Sequence, residues 1–198
     1  DVREMIDELI EYVALGTVAD VAPMLDENKA MVAYGCQRLS NTSKPGIQQL
    51  LKIAGVKEVD TFSIGFQLGP RINAIGRLAD AGTALDLLLE TSSTRAEKLA
   101  KELDSANRKR QLEQEKAVED AIAYVEQDFD LPNTYILVVC QNEWHPGLIG
   151  LIAGKIAEMY NKPTLVCSIK DDGYAKGSCR SANNFNILEA LKSEKAYK

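Results

Sequence analysis

Histidine and tryptophan are nearly missing from this chain: its 198 residues hold one of each. So few imidazoles exclude a metal centre built mainly from histidine, and the two rare residues stand side by side at Trp144 and His145. No apolar run approaches the roughly eighteen residues that a membrane-spanning helix needs, which argues against membrane association. The four cysteines, Cys36, Cys140, Cys167 and Cys179, include no CxxC pair, so a zinc ribbon or a disulfide framework is not expected. Reduced, partly buried thiols in a cytoplasmic protein are the reading instead. An excess of positive charge is also lacking. The formal net charge of −6 excludes a chain coated in basic residues, though not a local basic groove. The first residue is Asp1 and no signal-peptide pattern follows, so the sequence reads as a piece of something longer.

What is present describes a globular protein. At 45% apolar and 26% charged residues, the chain has material for one large core or two small ones. Residues 10–18 form a nearly continuous apolar run, consistent with a buried strand that ends before Asp20. Residues 28–90 read mainly as helices, punctuated by residues 41–45 and by the Gly69-Pro70 pair. Residues 95–127 contain neither glycine nor proline, and Leu99, Leu103, Ala106, Ala117, Ala121 and Val125 recur at helical spacing. With Thr94 and Glu97 as a capping box, this predicts one helix of roughly 50 Å bridging two domains. An α/β pattern follows: strand 135–140, helix 148–160, strands 163–169 and 174–180, and a helix from near Phe185. The fold class is therefore α/β.

Several groups of residues could carry chemistry, and each also has a plain structural reading. Asp20 is either a turn cap or a carboxylate at the carboxyl end of a strand, where α/β sheets collect metals and phosphates. Residues 69–77 place Arg71 and Arg77 among glycines with Asn73 between them, which suits a phosphate or makes a solvated turn. Residues 176–181 set Lys176 and Arg180 around Ser178, with Ser181 after them, as a phosphate loop or a hairpin edge. The triplet of residues 108–110 on the long helix reads as a solvated face. The run of residues 144–150 puts Trp144 and His145 before two glycines at a strand-to-helix junction, where the helix N-terminus offers free N–H donors. His145 there is a general acid, a metal ligand, a phosphate donor or a structural residue.

Taken in order, these motifs closely resemble the RecJ family of single-strand-specific DNA exonucleases, within the DHH phosphoesterase superfamily. The resemblance spans almost the whole chain. It implies the C-terminal part of a DHH catalytic domain over residues 1–92, a connecting helix over 93–130, and the start of a DHH-associated substrate-binding domain over 131–198. It also implies 5′-to-3′ hydrolysis of single-stranded DNA with Mn²⁺ or Mg²⁺ in recombination and repair, with a single-strand-binding protein and a helicase as partners. On the same resemblance Asp20 is a metal-binding and catalytic aspartate, and Arg71, Asn73 and Arg77 lie in a loop near the catalytic site. His145 with Trp144 belongs to the associated domain's Trp-His motif, and Lys176, Ser178, Arg180 and Ser181 form its substrate-binding loop. The family's earlier metal motifs, including the Asp-His-His triplet, are absent here, so this chain alone is expected to be inactive. Alternatives are a DHH-superfamily phosphoesterase acting on oligonucleotides or nucleotides, and a non-catalytic nucleic-acid-binding replication scaffold.

Overall fold

The computed structural model describes residues 2–78, 82–142, 144–170 and 173–193, without the side chains of residues 75–78. The chain divides into two compact units, Asp1–Arg110 and Gln111–Lys198. The described residues of the first unit contain helices and no strand: α1 (Val2–Ala19), α2 (Asp26–Ser40), α3 (Pro45–Ala54), α4 (Thr61–Ser63), α5 (Gly69–Leu78), α6 (Gly82–Leu89) and the first half of α7 (Ser93–Asp128). The second unit takes the rest of α7, then β1 (Leu137–Gln141), α8 (Ile149–Tyr160), β2 (Thr164–Ile169), β3 (Ala175–Arg180) and α9 (Ile187–Ser193). The α/β expectation therefore holds for the chain, with the sheet confined to its later part.

The strand expected at residues 10–18 is instead the C-terminal half of α1. The run is apolar, but only Ile10, Ala14 and Leu15, with Glu11, are buried, which is the spacing of one helical face. Gly35 of α2 lets that face come close, since a Cβ there would stand 2.7 Å from the Ile10 carbonyl oxygen. α3 begins with Pro45 at its first turn and ends on Gly55 at φ 72°, a left-handed cap. Its Gly46 lies directly on the Leu87 carbonyl of α6, where any side chain would collide. A buried ion pair ties α1 to the start of α3. Glu11, 2% exposed, accepts from the Thr42 hydroxyl at 2.7 Å and faces Lys44 Nζ at 3.1 Å.

The Gly69-Pro70 pair, expected to interrupt the helices, does not break the chain there. α4 runs into α5 through a π-helical segment, Ile64–Leu68, in which the Gly69 N–H donates to the Ile64 carbonyl five residues back. Proline cannot donate to an α-helical partner and crowds the carbonyl four residues before it, and the wider π turn accommodates both defects. Residue 69 must be small, because a Cβ there would be 2.9 Å from the Ile64 oxygen and 3.5 Å from Ala19 Cβ. Residues 69–77, expected as a loop, are helical for this reason.

α7 is a single helix of 36 residues that starts at Ser93, so Thr94 lies inside it and is not its cap. The Glu97 carboxylate, the other half of the expected capping box, instead accepts from Lys101 Nζ at 2.7 Å. Ala96, Ala100 and Leu103 of α7 join the first unit's core with Leu39, Ile47, Leu50, Ile64, Leu68 and Leu87. In the second unit, Ala117, Ala121 and Val125 of α7 pack with Leu137, Val139, Ile152, Ile156 and Val166.

The sheet has the order β1-β2-β3. β1 and β2 are parallel, with Cys140 opposite Cys167, and β3 returns antiparallel, with Ser178 opposite Val166 and Lys176 opposite Ser168. α8 is the crossover between the parallel strands, so its N-terminus lies at the carboxyl end of β1. The four cysteines are free, as expected. Burial, together with Cys140 and Cys179 beside it, pushes the Cys167 thiol up to about 11.

Candidate nucleic-acid interface

In the second unit, the turn after β1 is held from inside. Trp144 is buried, and its carbonyl accepts from the buried Ser168 hydroxyl at 2.6 Å. His145 is exposed, and its Nδ1 accepts the Gly147 N–H at 3.1 Å. With Nδ1 accepting that hydrogen bond, Nε2 is the ring's donor position. Trp144 and His145 line a concavity of about 660 Å³ with Glu113, Lys116 and Asp120 of α7.

The first turn of α8 meets β3 at Gly150. A Cβ at that position would lie 3.3 Å from both Arg180 Nη2 and Ser178 Oγ, and one at Gly154 would lie 3.8 Å from Arg180 Nε. Two glycines one turn apart thus form a trough on α8 for the Arg180 guanidinium. Arg180 Nη1 donates to the Cys179 carbonyl at 2.8 Å and approaches Ser178 Oγ at 3.5 Å, which fixes the plane of the fork. A guanidinium, a hydroxyl and a helix N-terminus together present donors and positive potential, an arrangement suited to one phosphate. Lys176 lies on the same face of β3, exposed and opposite Ser168. Ser181 is occupied otherwise: its Oγ accepts the Ile187 N–H at 3.3 Å, at the start of α9.

In the first unit the structure brings Asp20 and Asn73 together. They line a cavity of about 340 Å³ with Tyr12, Leu15, Gly16, Ala19, Ile72 and Leu88. Asp20 follows a helix, not a strand, and its backbone N–H closes the last turn of α1 on the Gly16 carbonyl at 3.0 Å. Among the described residues its carboxylate has no hydrogen-bond or ion-pair partner, and no basic residue occupies the last turn of α1. Helix carbonyls and a carboxylate at one end favour a cation there. A single carboxylate is not a metal-binding donor set, however, and among the described residues no group of three or more His, Cys, Asp or Glu could hold a metal ion. The Arg77 side chain lies outside the described residues.

Arg71 turns away from Asp20, toward α7. Its Nε donates to Asp104 Oδ1 at 2.9 Å and its Nη1 to the Gln67 carbonyl at 2.7 Å. The other Asp104 oxygen accepts from Arg108 Nε at 2.8 Å, and Asn107, also buried, accepts from Arg110 Nη2 at 3.0 Å. The triplet of residues 108–110 is thus not simply a solvated face. Asp104 and Asn107 were not singled out by the sequence, and Arg108 was read there only as part of a solvated face. The available signal was that Asp104 and Asn107 fall on the same helical stripe as Ala96, Ala100 and Leu103.

Residues 133–196 match the DHHA1 domain. The single-stranded-DNA-specific exonuclease RecJ of Bacillus subtilis is 40% identical over 191 residues, 95% of this chain and 24% of that protein. The Escherichia coli protein of the same name is 37% identical over 93% of this chain and 33% of its own length. The crystal structure of RecJ from Thermus thermophilus in complex with Mg²⁺ superposes with a TM-score of 0.81 at 32% identity, covering 93% of this chain and 29% of that one. A structure of exonuclease RecJ bound to manganese gives a TM-score of 0.74 at 31% identity, over 92% of this chain and 46% of that one. The chain is similar to RecJ proteins over nearly its whole length and matches the DHHA1 domain over residues 133–196, and it spans about a quarter to a third of the length of the curated relatives it matches.

Proposed function

We propose that this chain is the phosphate-gripping part of a single-stranded-DNA exonuclease. Residues 1–92 belong to the DHH catalytic domain, 93–130 to the connecting helix and 131–198 to the DHH-associated domain. The observation that carries the reading is the Arg180 guanidinium, seated with Ser178 against Gly150 at the head of α8. Its fork matches two non-bridging phosphate oxygens, the α8 amides add donors, and His145 before α8 and Lys176 on the same face of β3 add further ones. Donors to phosphate oxygens read no base, so binding should be indifferent to sequence and sensitive to salt. Asn73 beside Asp20 would orient a phosphate or water in the first unit's cavity.

Mn²⁺ or Mg²⁺ would activate the attacking water in a whole enzyme, but the described residues of this chain do not assemble a site for it. We therefore expect no hydrolysis by this chain alone. A preparation that degraded single-stranded DNA with Mn²⁺ and lost that activity on Asp20→Ala would overturn this. A cytoplasmic location and partners such as a single-strand-binding protein and a helicase belong to the same proposal and rest on the resemblance.

The direct test is titration of a fluorescent single-stranded oligonucleotide across a salt series, with matched duplex as competitor. Arg180→Ala should weaken binding roughly tenfold, the effect of losing one charge-assisted contact. It should also lower the salt slope by about 0.7, the value for one phosphate on a single strand. Unchanged affinity and slope would remove Arg180 from the interface.

A further inference from the structure

The Asp104 carboxylate is 7% exposed and is contacted by two arginines, Arg71 at 2.9 Å and Arg108 at 2.8 Å. Arg71 alone would neutralise it. The Arg71 side chain is 19% exposed and also donates to Gln67, so it already satisfies the buried group. The second arginine leaves the trio with one net positive charge, in a chain whose formal net charge is −6. Arg108 reaches the buried carboxylate from solvent, with its own side chain 74% exposed, and because Asp104 keeps Arg71 this second contact adds little to stability. Its geometry does suggest a use. Arg108 engages Asp104 through Nε, so its two Nη groups remain as an end-on fork on a side chain that is 74% exposed. The Nε contact sets the direction of that fork and lowers the ordering cost of a bidentate contact.

We infer that Arg108, oriented by Asp104 beside Arg71, forms a second phosphodiester-binding site in the first unit, centred on α7. This inference rests on the proposed single-strand binding and extends it to a residue outside the motifs that suggested it. The ligand chemistry is a backbone phosphate of single-stranded nucleic acid, met by the Nη fork of Arg108 and the remaining Nη2 of Arg71. Asp104 is a positioning residue here.

The test uses the whole protein without divalent metal, so that the strand stays intact, and a labelled single-stranded oligonucleotide over a salt series. Arg108→Ala should weaken binding roughly tenfold and lower the salt slope by about 0.7. Arg108→Lys should restore the slope, because the charge returns, and only part of the affinity, because the fork does not. Arg95→Ala removes another α7 arginine, one that pairs with Glu90 before the helix, and controls for a simple loss of charge. It should leave the slope unchanged. Thermal melts of Arg108→Ala should match the parent, since Asp104 keeps Arg71.

The inference is overturned if Arg108→Ala binds like the parent while Arg180→Ala binds weakly. It is overturned equally if Arg95→Ala has the same effect as Arg108→Ala. If neither Arg108→Ala nor Arg180→Ala changes binding, the single-strand reading beneath it falls too.

Discussion

Replacing Lys44 with methionine should destabilise the first unit by about 3 kcal/mol, because it removes the charge that faces a buried carboxylate. Glu11 and Lys44 have side-chain exposures of 3% and 21% and are 3.1 Å apart, so their gross attraction is about 5 kcal/mol at an effective dielectric constant of about 20. Part of that is offset in the native protein by the desolvation of both groups. Lys44 is only partly desolvated, which puts the loss at the lower end of the roughly 3–5 kcal/mol seen when a buried pair is broken. Methionine keeps the length of the aliphatic stem and loses the ammonium, which also stands over the Tyr12 ring 5.3 Å from its centroid. The Thr42 hydroxyl remains as one neutral donor to the carboxylate. The double variant Glu11→Gln, Lys44→Met removes both charges and should recover most of the loss, giving a coupling energy of at least about 2 kcal/mol. Trp144 is in the other unit, so its fluorescence is the wrong probe. Urea denaturation by far-ultraviolet circular dichroism, with hydrogen exchange of α1 and α3 amides, reports where the change occurs. A Lys44→Met variant within about 0.5 kcal/mol of the parent, or a double variant no better than the single one, would refute the reasoning.

Val21, immediately after Asp20, is β-branched, 87% exposed and held at φ 57°. Val21→Gly should therefore stabilise the chain by about 0.5–1 kcal/mol in denaturant melts, because relief of roughly 1–2 kcal/mol of backbone strain exceeds the extra entropy glycine loses. The Ser63 amide and hydroxyl hold the Asp60 carboxyl below its ordinary value, so its contribution is present above the unfolded-state value near 4 and is lost as acid titrates the folded group. Urea midpoints of Asp60→Asn should accordingly lie below the parent at neutral pH and converge with it below about pH 4. With its thiol pushed up to about 11, Cys167 should alkylate at pH 8 on the order of a thousandfold slower than its thiolate limit, a ratio that mass-spectrometric iodoacetamide labelling measures.

The second unit was legible in the sequence nearly to the residue. Its strands are short β-rich runs bounded by Pro132, Gly147, Pro163 and Gly173, and its crossover helix has a clear apolar face. The first unit was legible as helical except at its start. Residues 10–18 form an apolar run too short for its period to be read, and the exposed Leu9 and half-buried Val13 on either side of the buried face give the appearance of a buried strand. Gly69-Pro70 was read as a break because proline usually ends a helix, and no local rule announces a π turn that absorbs it. Arg180, Ser178 and His145 could be singled out because they stand in unusual local runs. Asp104 could not be, since a charged residue in a charged helix is ordinary until the neighbouring helices bury it.

The π segment has a consequence for phase. It holds one residue more than an α-helical path would, so everything after it is rotated by about 100° relative to the helix before it. That offset lets Arg71 address Asp104 while Asn73 faces the cavity it shares with Asp20. Deleting one residue from Ile64–Leu68 would restore a uniform helix and swing both side chains off their partners while removing neither of them. Should such a deletion keep the helical content and lose hydrogen-exchange protection around Asp104, the segment acts as a rotational spacer whose single surplus residue sets where the Arg71 and Asn73 side chains point.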